Sequence, residues 1–197
     1  SEEMTTTERF DEHVLGTYGR FPLTLVEGKG ARVTDDAGRE YLDFCMGIAV
    51  CSLGHCHPRM VAAIREQAGK LVHVSNLYYT DNQGLLAEEM NCHHIGLAGK
   101  IFFSNSGAEA NDGLIKSARR YGHLKTQADG KPRFEVITFQ QSFHGRTLGS
   151  MAATGQAKIQ QGFDPMLPGF RYLPYNDIAA LENAVRDETV GFLLEPV

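Results

Sequence analysis

The segment from Ser104 to Asn111 has the composition of a turn that could bind an anion. It follows the apolar run 101–104, and its small residues Ser106, Gly107 and Ala108 open a stretch with helical periodicity. A turn from a buried strand into a helix directs free backbone N–H groups and the positive end of the helix dipole toward one point, where a phosphate binds well. These residues alone leave a second interpretation open, a plain strand-to-helix turn capped by Ser106.

A second candidate segment runs from Ser142 to Arg146 and follows the apolar run 136–139. Because ligands of parallel sheets collect at the carboxyl ends of the strands, we expect this segment to lie beside the first. Arg146 offers a planar fork that binds a carboxylate, and Phe143 offers a flat face for a heteroaromatic ring. The alternative interpretation is a loop with a core phenylalanine, a hydrogen-bonded His144 and a surface arginine.

A third segment, Gly54 to Pro58, places two histidines and a cysteine in three consecutive positions and suggests a metal site. Side chains of consecutive residues diverge too widely to ligate one ion together, and no second half-site with zinc-like spacing follows. The adjacent pair His93 and His94 is equally isolated. We therefore expect structural roles for these residues and no metal site.

The composition is that of an ordinary globular protein, with 197 residues, 42% hydrophobic and 22% charged. The formal net charge is -5 without long runs of one sign, which argues against nucleic acid as the main partner. No apolar stretch approaches the ~20 residues that cross a membrane, and from its polar start we expect no signal peptide. Four cysteines are too few for a disulfide scaffold, so we expect a reduced, cytoplasmic setting.

The spacing of apolar residues predicts the elements that position these segments. Residues 1–20 are expected to form an arm or a short helix, and residues 21–50 short strands with tight turns. Four helices are predicted: from Pro58 onward, from Asn82 to Met90, from Ala108 to Tyr121, and after Asn176 or Asp177. Gly122 is predicted to end the third helix as a left-handed cap. The predicted inward residues are Val61, Ile64, Ala68 and Leu71 in the first of these helices, and Leu114, Ile115 and Ala118 in the third. Strands are predicted at 101–104, 136–139 and 190–194, with an exposed loop at 124–133, an alternation typical of an α/β domain with a mostly parallel sheet.

Taken together, these motifs resemble those of the class III aminotransferases. The motifs that carry the resemblance are Gly47 to Val50, Leu53 to Pro58, Ser75 to Thr80, Ser104 to Asn111, Ser142 to Thr147, Ala153 to Gln156, Phe163 to Pro165, Pro174 to Asp177 and Glu195 to Val197. They occur in order and at the family's spacing from about residue 20 to the end. Within the class, Gly47 to Val50 and the Ser-Gly-Ala turn are most similar to the acetylornithine aminotransferases.

The resemblance implies an incomplete α/β chain of the fold type I transferases that depend on pyridoxal phosphate. It assigns residues 1–57 to an N-terminal arm and part of the small domain, and residues 58–197 to the first part of the large mixed-sheet domain. Because a domain rarely ends on a buried strand, we expect further sequence beyond Val197. In the family's sheet the strand at 101–104 lies beside strands from that further sequence. We therefore expect this strand to lack its neighbour, and the chain to fold marginally with exposed apolar surface.

The resemblance also implies that pyridoxal 5'-phosphate is the cofactor. Gly107 and Ala108 would donate backbone N–H groups to its phosphate, with Ser106 beside them. Phe143 would stack on its pyridine ring, and Glu195 would lie under the site.

The implied substrates are N-acetylornithine and 2-oxoglutarate, with glutamate as a product, in arginine biosynthesis. Arg146 would bind the substrate carboxylates, and Ile48 and Tyr79 would line the substrate pocket. The complete protein would be a cytoplasmic homodimer. Other class III aminotransferases, which act on succinylornithine, succinyldiaminopimelate, ornithine or 4-aminobutyrate, share most of these motifs and stay open as alternatives.

The family's catalytic lysine, which forms a Schiff base with the cofactor, has no counterpart here. The seven lysines of the chain fall at no matching position; they are Lys29, Lys70, Lys100, Lys116, Lys125, Lys131 and Lys158. The aspartate that pairs with the pyridine nitrogen is also absent. We therefore expect no catalytic residue in this chain and no turnover by the chain alone. A non-catalytic fragment with this fold is the remaining alternative.

Overall fold

A computed structural model of the chain describes residues 3–96, 99–125 and 130–196. The chain divides into two compact units, Ser1–Thr80 and Asp81–Val197. Within the described residues, each unit contains one three-stranded sheet. The proposed division at residue 57 into parts of a small and a large domain stays a prediction, and part of the predicted loop at 124–133 lies outside the described residues.

The first unit begins with helix α1 (Thr6–His13), which a capping box starts. The Thr5 side chain accepts a hydrogen bond from the Glu8 amide at 3.3 Å, and the Glu8 carboxylate accepts one from the Thr5 amide at 2.7 Å. An antiparallel sheet follows, in the order β1-β2-β3, with β1 at Leu25–Lys29, β2 at Arg32–Asp35 and β3 at Glu40–Leu42. The predicted arm helix and short strands are confirmed.

The buried carboxylate of Asp35 fixes the turn between β2 and β3. It accepts hydrogen bonds from the amides of Ala37 at 3.0 Å and Arg39 at 2.8 Å, from Arg39 Nε at 2.7 Å and from the Tyr41 hydroxyl at 2.8 Å. Burial acts to raise the pKa of Asp35, but the hydrogen bonds from Arg39 and Tyr41 outweigh it and lower the pKa to about 2. The carboxylate therefore stays ionised at neutral pH.

After β3 the first unit contains a short turn and a longer helix. The turn is α2 (Met46–Ala49), and helix α3 spans Pro58–Ala68 with Pro58 in its first turn, as predicted. The predicted inward face of α3 is only partly covered, because Val61 is half-buried whereas Ile64 is 61% exposed.

The second unit is an α/β layer around a parallel sheet of order β5-β4-β6. Its elements are α4 (Asp81–Glu89), the π-helix η1 (Met90–Ile95), α5 (Gly107–Leu124), β4 (Glu135–Phe139), α6 (Leu148–Ala153), α7 (Ala157–Gln160), β5 (Phe170–Leu173), α8 (Ile178–Ala184) and β6 (Thr189–Phe192). The core lies around the central strand β4, where Ile137 is fully buried, and Met151 of α6 and Ile115 of α5 are also buried. The predicted α/β architecture with a parallel sheet is confirmed.

The predicted strand at 101–104 is wrong for this structure. No strand among the described residues pairs with it, and Phe102 is 73% exposed. A strand needs the backbone groups of a neighbour, and the central strand β4 already has β5 on one side and β6 on the other. The apolar composition of 101–104 is therefore not sufficient to form a strand.

The predicted role of Gly122 as a left-handed cap is also wrong. Helix α5 continues through Gly122 to Leu124. A Cβ carbon on this buried glycine would lie 1.9 Å from the carbonyl oxygen of Arg133, so glycine is required here for close approach of the following chain. Of the residues predicted to face inward, Ile115 is buried whereas Leu114 is 57% exposed.

The chain exposes an unusual amount of apolar surface. Its accessible area is 15680 Å², whereas two separate compact units of these sizes would expose about 11,000 Å². Large apolar side chains at the surface include Phe21, Phe44, Val72, Leu77 and Phe102. The predicted exposure of apolar surface is confirmed. Across the described residues, no helix is long and apolar enough to cross a membrane.

Candidate functional site

The N-terminus of α5 leaves backbone amides free for a ligand. Ser106 is the N-cap, and its hydroxyl accepts a hydrogen bond from the Glu109 amide at 3.2 Å. The Glu109 carboxylate in turn accepts from the Asn105 amide at 3.0 Å and from the Ser106 hydroxyl at 3.3 Å. Gly107 and Ala108 are the first two helical residues, so their N–H groups have no acceptor within the helix. This geometry suits both interpretations of the turn, the plain cap and the anion site.

The loop after β4 packs directly on this helix N-terminus. Gly145 has a φ of 129°, and a Cβ carbon on it would lie 2.7 Å from Ala108 Cβ and 2.5 Å from the Ser150 hydroxyl oxygen. The Asn111 amide group donates a hydrogen bond to the carbonyl of His144 at 2.6 Å. The structure thus brings the two predicted segments into contact, and glycine is required at the point where they meet.

A buried hydrogen-bond network holds His144 in place. Its backbone amide donates to the Thr154 hydroxyl at 2.9 Å, and its Nε2 lies 3.0 Å from the Thr138 hydroxyl. The Thr138 hydroxyl donates its only proton to the carbonyl of Ala153 at 2.9 Å. It must therefore accept the hydrogen bond from His144, so the proton of the neutral imidazole ring is on Nε2. Burial lowers the pKa of His144, although the charge of Glu195 opposes this shift. His144 therefore supports the loop as a neutral group. This is the hydrogen-bonded His144 that the alternative interpretation of the segment from Ser142 to Arg146 describes.

Ser142 anchors the other end of the loop. Its hydroxyl accepts a hydrogen bond from the amide of Gly155 at 3.1 Å, and its carbonyl accepts one from the side chain of Gln156 at 3.0 Å. The motif from Ala153 to Gln156 therefore supports the loop, together with Thr138 and Thr154. Thr138 was missed by sequence reasoning, and the supporting roles of Thr154 and Asn111 within their motifs were not predicted, because only the fold brings these side chains to the loop.

Phe143 and Arg146 are the side chains of this loop that face solvent. Phe143 is 43% exposed, and the guanidinium carbon of Arg146 lies 5.8 Å from the centroid of its ring. The backbone amide of Phe143 donates to the Glu195 carboxylate at 2.8 Å, which ties the loop to the segment after β6. Buried Ser142, His144 and Gly145 thus hold the backbone of the loop, and the exposed Phe143 and Arg146 lie on its surface.

The candidate residues are distributed over the two units. Five of them lie in the second unit: Ser106, Gly107, Ala108, Phe143 and Arg146. The other two, Ile48 and Tyr79, lie in the first unit, and their side chains are almost entirely exposed.

Several histidines of the two segments that suggested a metal site are in contact with nearby carboxylates. His55 Nε2 lies 2.6 Å from Asp43 Oδ2, and the Nε2 atoms of His93 and His94 lie 3.9 and 3.3 Å from Glu89 carboxylate oxygens. Within the described residues, no group of three or more histidine, cysteine, aspartate or glutamate side chains is arranged to hold a metal ion. All four cysteines are free thiols.

The residues of the second unit fit pyridoxal phosphate. Its phosphate needs donors, and the first amides of α5 offer them beside the N-cap Ser106. Its ring needs a flat partner close to those donors, and the contact between Gly145 and Ala108 brings the Phe143 loop to the same helix end. A side chain at Gly145 would disrupt this contact.

Comparison with known proteins agrees with the geometry. Residues 16–197 match the family described as aminotransferase class-III. The acetylornithine aminotransferase of Thermosynechococcus vestitus is 50% identical over 98% of this chain and 47% of that protein. That of Caldanaerobacter subterraneus subsp. tengcongensis is 51% identical over 98% of this chain and 48% of that protein. The chain therefore spans about half the length of the curated relatives it matches.

Solved structures of aminotransferases share the fold. The ornithine aminotransferase of Toxoplasma gondii superimposes with a TM-score of 0.86 at 32% identity, over 95% of this chain and 44% of that chain. The N-acetylornithine aminotransferase of Stenotrophomonas maltophilia gives a TM-score of 0.71 at 40% identity, over 91% of this chain and 43% of that chain. The fold type I architecture predicted from the motifs is confirmed, as an incomplete domain. By its family match over residues 16–197 and by its fold, the chain belongs to the class III aminotransferases, a family that depends on pyridoxal phosphate.

Proposed function

We propose that this chain forms the phosphate- and carboxylate-binding half of an acetylornithine-type aminotransferase. The reaction moves the distal amino group of N-acetylornithine to 2-oxoglutarate and yields glutamate. The observation that supports the proposal is the contact of Gly145 with Ala108, which joins the loop that contains Phe143 and Arg146 to the N-terminus of α5. The choice of N-acetylornithine as substrate is supported by curated relatives named acetylornithine aminotransferase, which are 50% and 51% identical to this chain.

The second unit supplies groups that bind and orient the cofactor. Gly107 and Ala108 donate their amide N–H groups to its phosphate, and the Ser106 hydroxyl lies beside them. Phe143 stacks on the pyridine ring. When bound, pyridoxal phosphate supplies an electron sink for bond breaking at the carbon that carries the amino group.

Arg146 recognises the substrates through their carboxylates. Its planar guanidinium suits bidentate hydrogen bonds to the carboxylate of N-acetylornithine, and to that of 2-oxoglutarate in the second half of the reaction. The guanidinium lies beside the ring of Phe143, so carboxylate binding and ring stacking occur next to each other. Ile48 and Tyr79 offer exposed side chains for contact with the substrate.

The chain alone is not expected to turn over substrate. Transamination needs an amine that bonds to the cofactor and moves protons at the reacting carbon. The two segments that hold the candidate cofactor residues, 104–111 and 142–147, contain no lysine. The remaining groups must come from polypeptide other than these segments.

The proposal extends to the oligomeric state, the compartment and the pathway of the complete protein. We expect a cytoplasmic homodimer that acts in arginine biosynthesis. The free, sparse cysteines support a reducing compartment, and the exposed apolar side chains support association with a partner.

A second candidate function is transamination of ornithine or another ω-amino acid. It is favoured by the structural agreement with the ornithine aminotransferase of Toxoplasma gondii. Rates with N-acetylornithine, succinylornithine, ornithine and 4-aminobutyrate, compared at equal concentration, distinguish the two. The first proposal requires the highest kcat/KM with N-acetylornithine.

The mass of the protein after cofactor reduction tests the assignment. The protein is isolated from its source, mixed with pyridoxal phosphate, reduced with borohydride and weighed intact. A chain roughly twice this length that carries one covalent cofactor supports the proposal. A mass of 21.7 kDa without a specific adduct contradicts it and leaves non-covalent binding by a non-catalytic fragment.

A further inference from the structure

The loop that contains Phe143 begins with a residue in an unfavourable backbone conformation. Gln141 has a φ of 65°, in the left-handed region that the Cβ atom makes costly for residues other than glycine. Its side chain is exposed, so packing of that side chain does not enforce the conformation. A conformation of this kind persists only where neighbouring groups hold the backbone, and such places are often functional.

The side chain of Gln156 holds this backbone from a neighbouring segment. Its Nε2 donates one hydrogen bond to the carbonyl of Gln141 at 3.3 Å and another to the carbonyl of Ser142 at 3.0 Å. The amide nitrogen has two hydrogens, so both bonds form at the same time. Gln156 is the N-cap of α7, but its side chain makes no capping hydrogen bond. The carboxamide is therefore committed to the loop rather than to the helix that follows it.

The backbone next to Gln156 is itself fixed to the end of β4. The Gly155 carbonyl accepts a hydrogen bond from the Gln141 amide at 2.9 Å, and the Gly155 amide donates to the Ser142 hydroxyl at 3.1 Å. A Cβ carbon on Gly155 would lie 2.0 Å from the carbonyl oxygen of Phe139, so glycine is required for this close approach. The carboxamide of Gln156 therefore extends from a rigid base.

The peptide group between Ser142 and Phe143 is held at both of its polar atoms. Its carbonyl oxygen accepts the hydrogen bond from Gln156, and its N–H donates to the Glu195 carboxylate at 2.8 Å. Because a peptide group is planar, bonds to the oxygen and to the N–H together fix its orientation. Rotation of this plane would break both bonds.

The peptide group on the other side of Phe143 is held as well. The His144 amide donates to the Thr154 hydroxyl at 2.9 Å. Two fixed peptide planes thus meet at the Cα atom of Phe143, and together they determine the direction of its Cα–Cβ bond. The side chain is 43% exposed, so packing covers only part of the ring. The direction of the ring is therefore set by the backbone and by the side chains that hold it.

We infer that Gln156 is a positioning residue for the cofactor ring, because its carboxamide holds the two carbonyls that precede Phe143 and so fixes the direction of that side chain. This inference rests on the proposed function, in which Phe143 stacks on the pyridine ring. Gln156 acts through the backbone of the loop and not by contact with the ring. Without its carboxamide, Gln141 can leave the left-handed region, and Phe143 then takes directions that do not face the cofactor.

The test compares Gln156→Ala and Gln156→Glu in the complete enzyme loaded with pyridoxal phosphate. Glutamate has the shape of glutamine, but its carboxylate has no N–H to donate at neutral pH. Gln160→Ala is the matched control, because the Gln160 side chain also donates to two backbone carbonyls, those of Met151 at 3.2 Å and Thr154 at 2.9 Å. This control removes a similar contact that does not involve the carbonyls before Phe143.

Three readouts are measured for each variant. Amide hydrogen exchange of residues 141–146 reports the order of the loop, and the dissociation constant reports the affinity for pyridoxal phosphate. Circular dichroism in the absorption band of the cofactor reports how its ring is held. We expect both changes of Gln156 to accelerate the exchange, to weaken the affinity about tenfold and to reduce the dichroism. Gln160→Ala is expected to lower the melting temperature as much as Gln156→Ala does, while the affinity stays within about twofold and the dichroism is unchanged.

Two results overturn the inference. One is unchanged exchange in Gln156→Ala, which shows that the carboxamide does not hold the loop. The other is a loss of affinity and dichroism no greater than in Gln160→Ala, which shows that the contact contributes to stability alone. A failure of the proposed function looks different, because Phe143→Leu then leaves the affinity and the dichroism unchanged while the exchange still responds to Gln156. That outcome refutes the stacking of Phe143, and the inference with it.

Discussion

Gly145 and Ala108 are in such close contact that a Cβ carbon on Gly145 would lie 2.7 Å from the Cβ of Ala108. This contact joins the loop that carries Phe143 and Arg146 to the helix end that offers free amides. Position 145 is thus constrained twice, by its φ of 129° and by the absence of space.

The change Gly145→Ala is expected to weaken cofactor binding. The added methyl group must displace the loop or the helix, because overpacking of a tight contact costs about 1–3 kcal/mol. We expect a loss of about tenfold or more in the affinity for pyridoxal phosphate, measured by titration of the cofactor absorbance. Gly162→Ala is the control, since Gly162 also has a positive φ but has nothing within 4 Å of an added Cβ. Equal affinities of the two variants would contradict the role of the contact.

Substitution of Arg146 is expected to affect carboxylate binding rather than cofactor binding. Charge-assisted hydrogen bonds are worth about 1.5–3 kcal/mol, so Arg146→Ala should raise the KM for 2-oxoglutarate by roughly 10- to 150-fold. Arg146→Lys should restore only part of the loss, because an ammonium group cannot form the planar fork. Arg120→Lys, at an exposed position on α5, should leave the KM unchanged. A KM for Arg146→Ala within about twofold of the unmodified value would count against this assignment.

The first unit should lose stability in acid through Asp35. The pKa of this carboxyl is about 2 in the folded chain and 3.8 without the contacts, so the unfolded state takes up the proton first. The contribution of Asp35 is therefore complete above pH 3.8 and is lost as the pH falls toward 2. We expect Asp35→Asn to flatten the pH dependence of the urea midpoint in this range, and Asp36→Asn to retain it. Parallel curves for all three proteins would refute the role of Asp35.

The buried hydrogen-bond network around His144 predicts that two substitutions of Thr154 differ in their effect on stability and on cofactor binding. Thr154→Val removes the acceptor of the His144 amide, and a buried donor left without a partner costs about 1–3 kcal/mol. Thr154→Ser retains the hydroxyl and should cost less. The free energy of unfolding and the affinity for pyridoxal phosphate should fall together in the valine variant. If valine and serine behave alike, the hydroxyl does not support the loop.

Local sequence signals predicted the helices that begin at a clear N-cap or first-turn residue. Pro58 at the start of α3, Ser106 at the start of α5 and Asp177 at the start of α8 are all found where a cap or a first-turn residue belongs. The central strand β4 was predicted from the run 136–139, and the structure buries this run on both faces. Turn chemistry and periodicity are properties of neighbouring residues, so a single sequence contains them.

Features that depend on distant parts of the chain were not predictable. The run 101–104 has the composition of a strand but no neighbour in the described chain, and Gly122 responds to the approach of Arg133. Strand β5 and the short helices α6 and α7 have four to six residues each, too few for a clear period. The site residues that the motifs indicate in the second unit stay a prediction, whereas the hydrogen bonds by which Thr138 and Thr154 hold the loop are visible only in the fold.

The bond between the Phe143 amide and the Glu195 carboxylate has a consequence for synthesis on the ribosome. The two partners are 52 residues apart, and Glu195 follows strand β6. During translation the loop therefore emerges well before the residue that fastens it. A nascent chain therefore presents the aromatic face of Phe143 on an unfastened loop until β6 and Glu195 have left the exit tunnel.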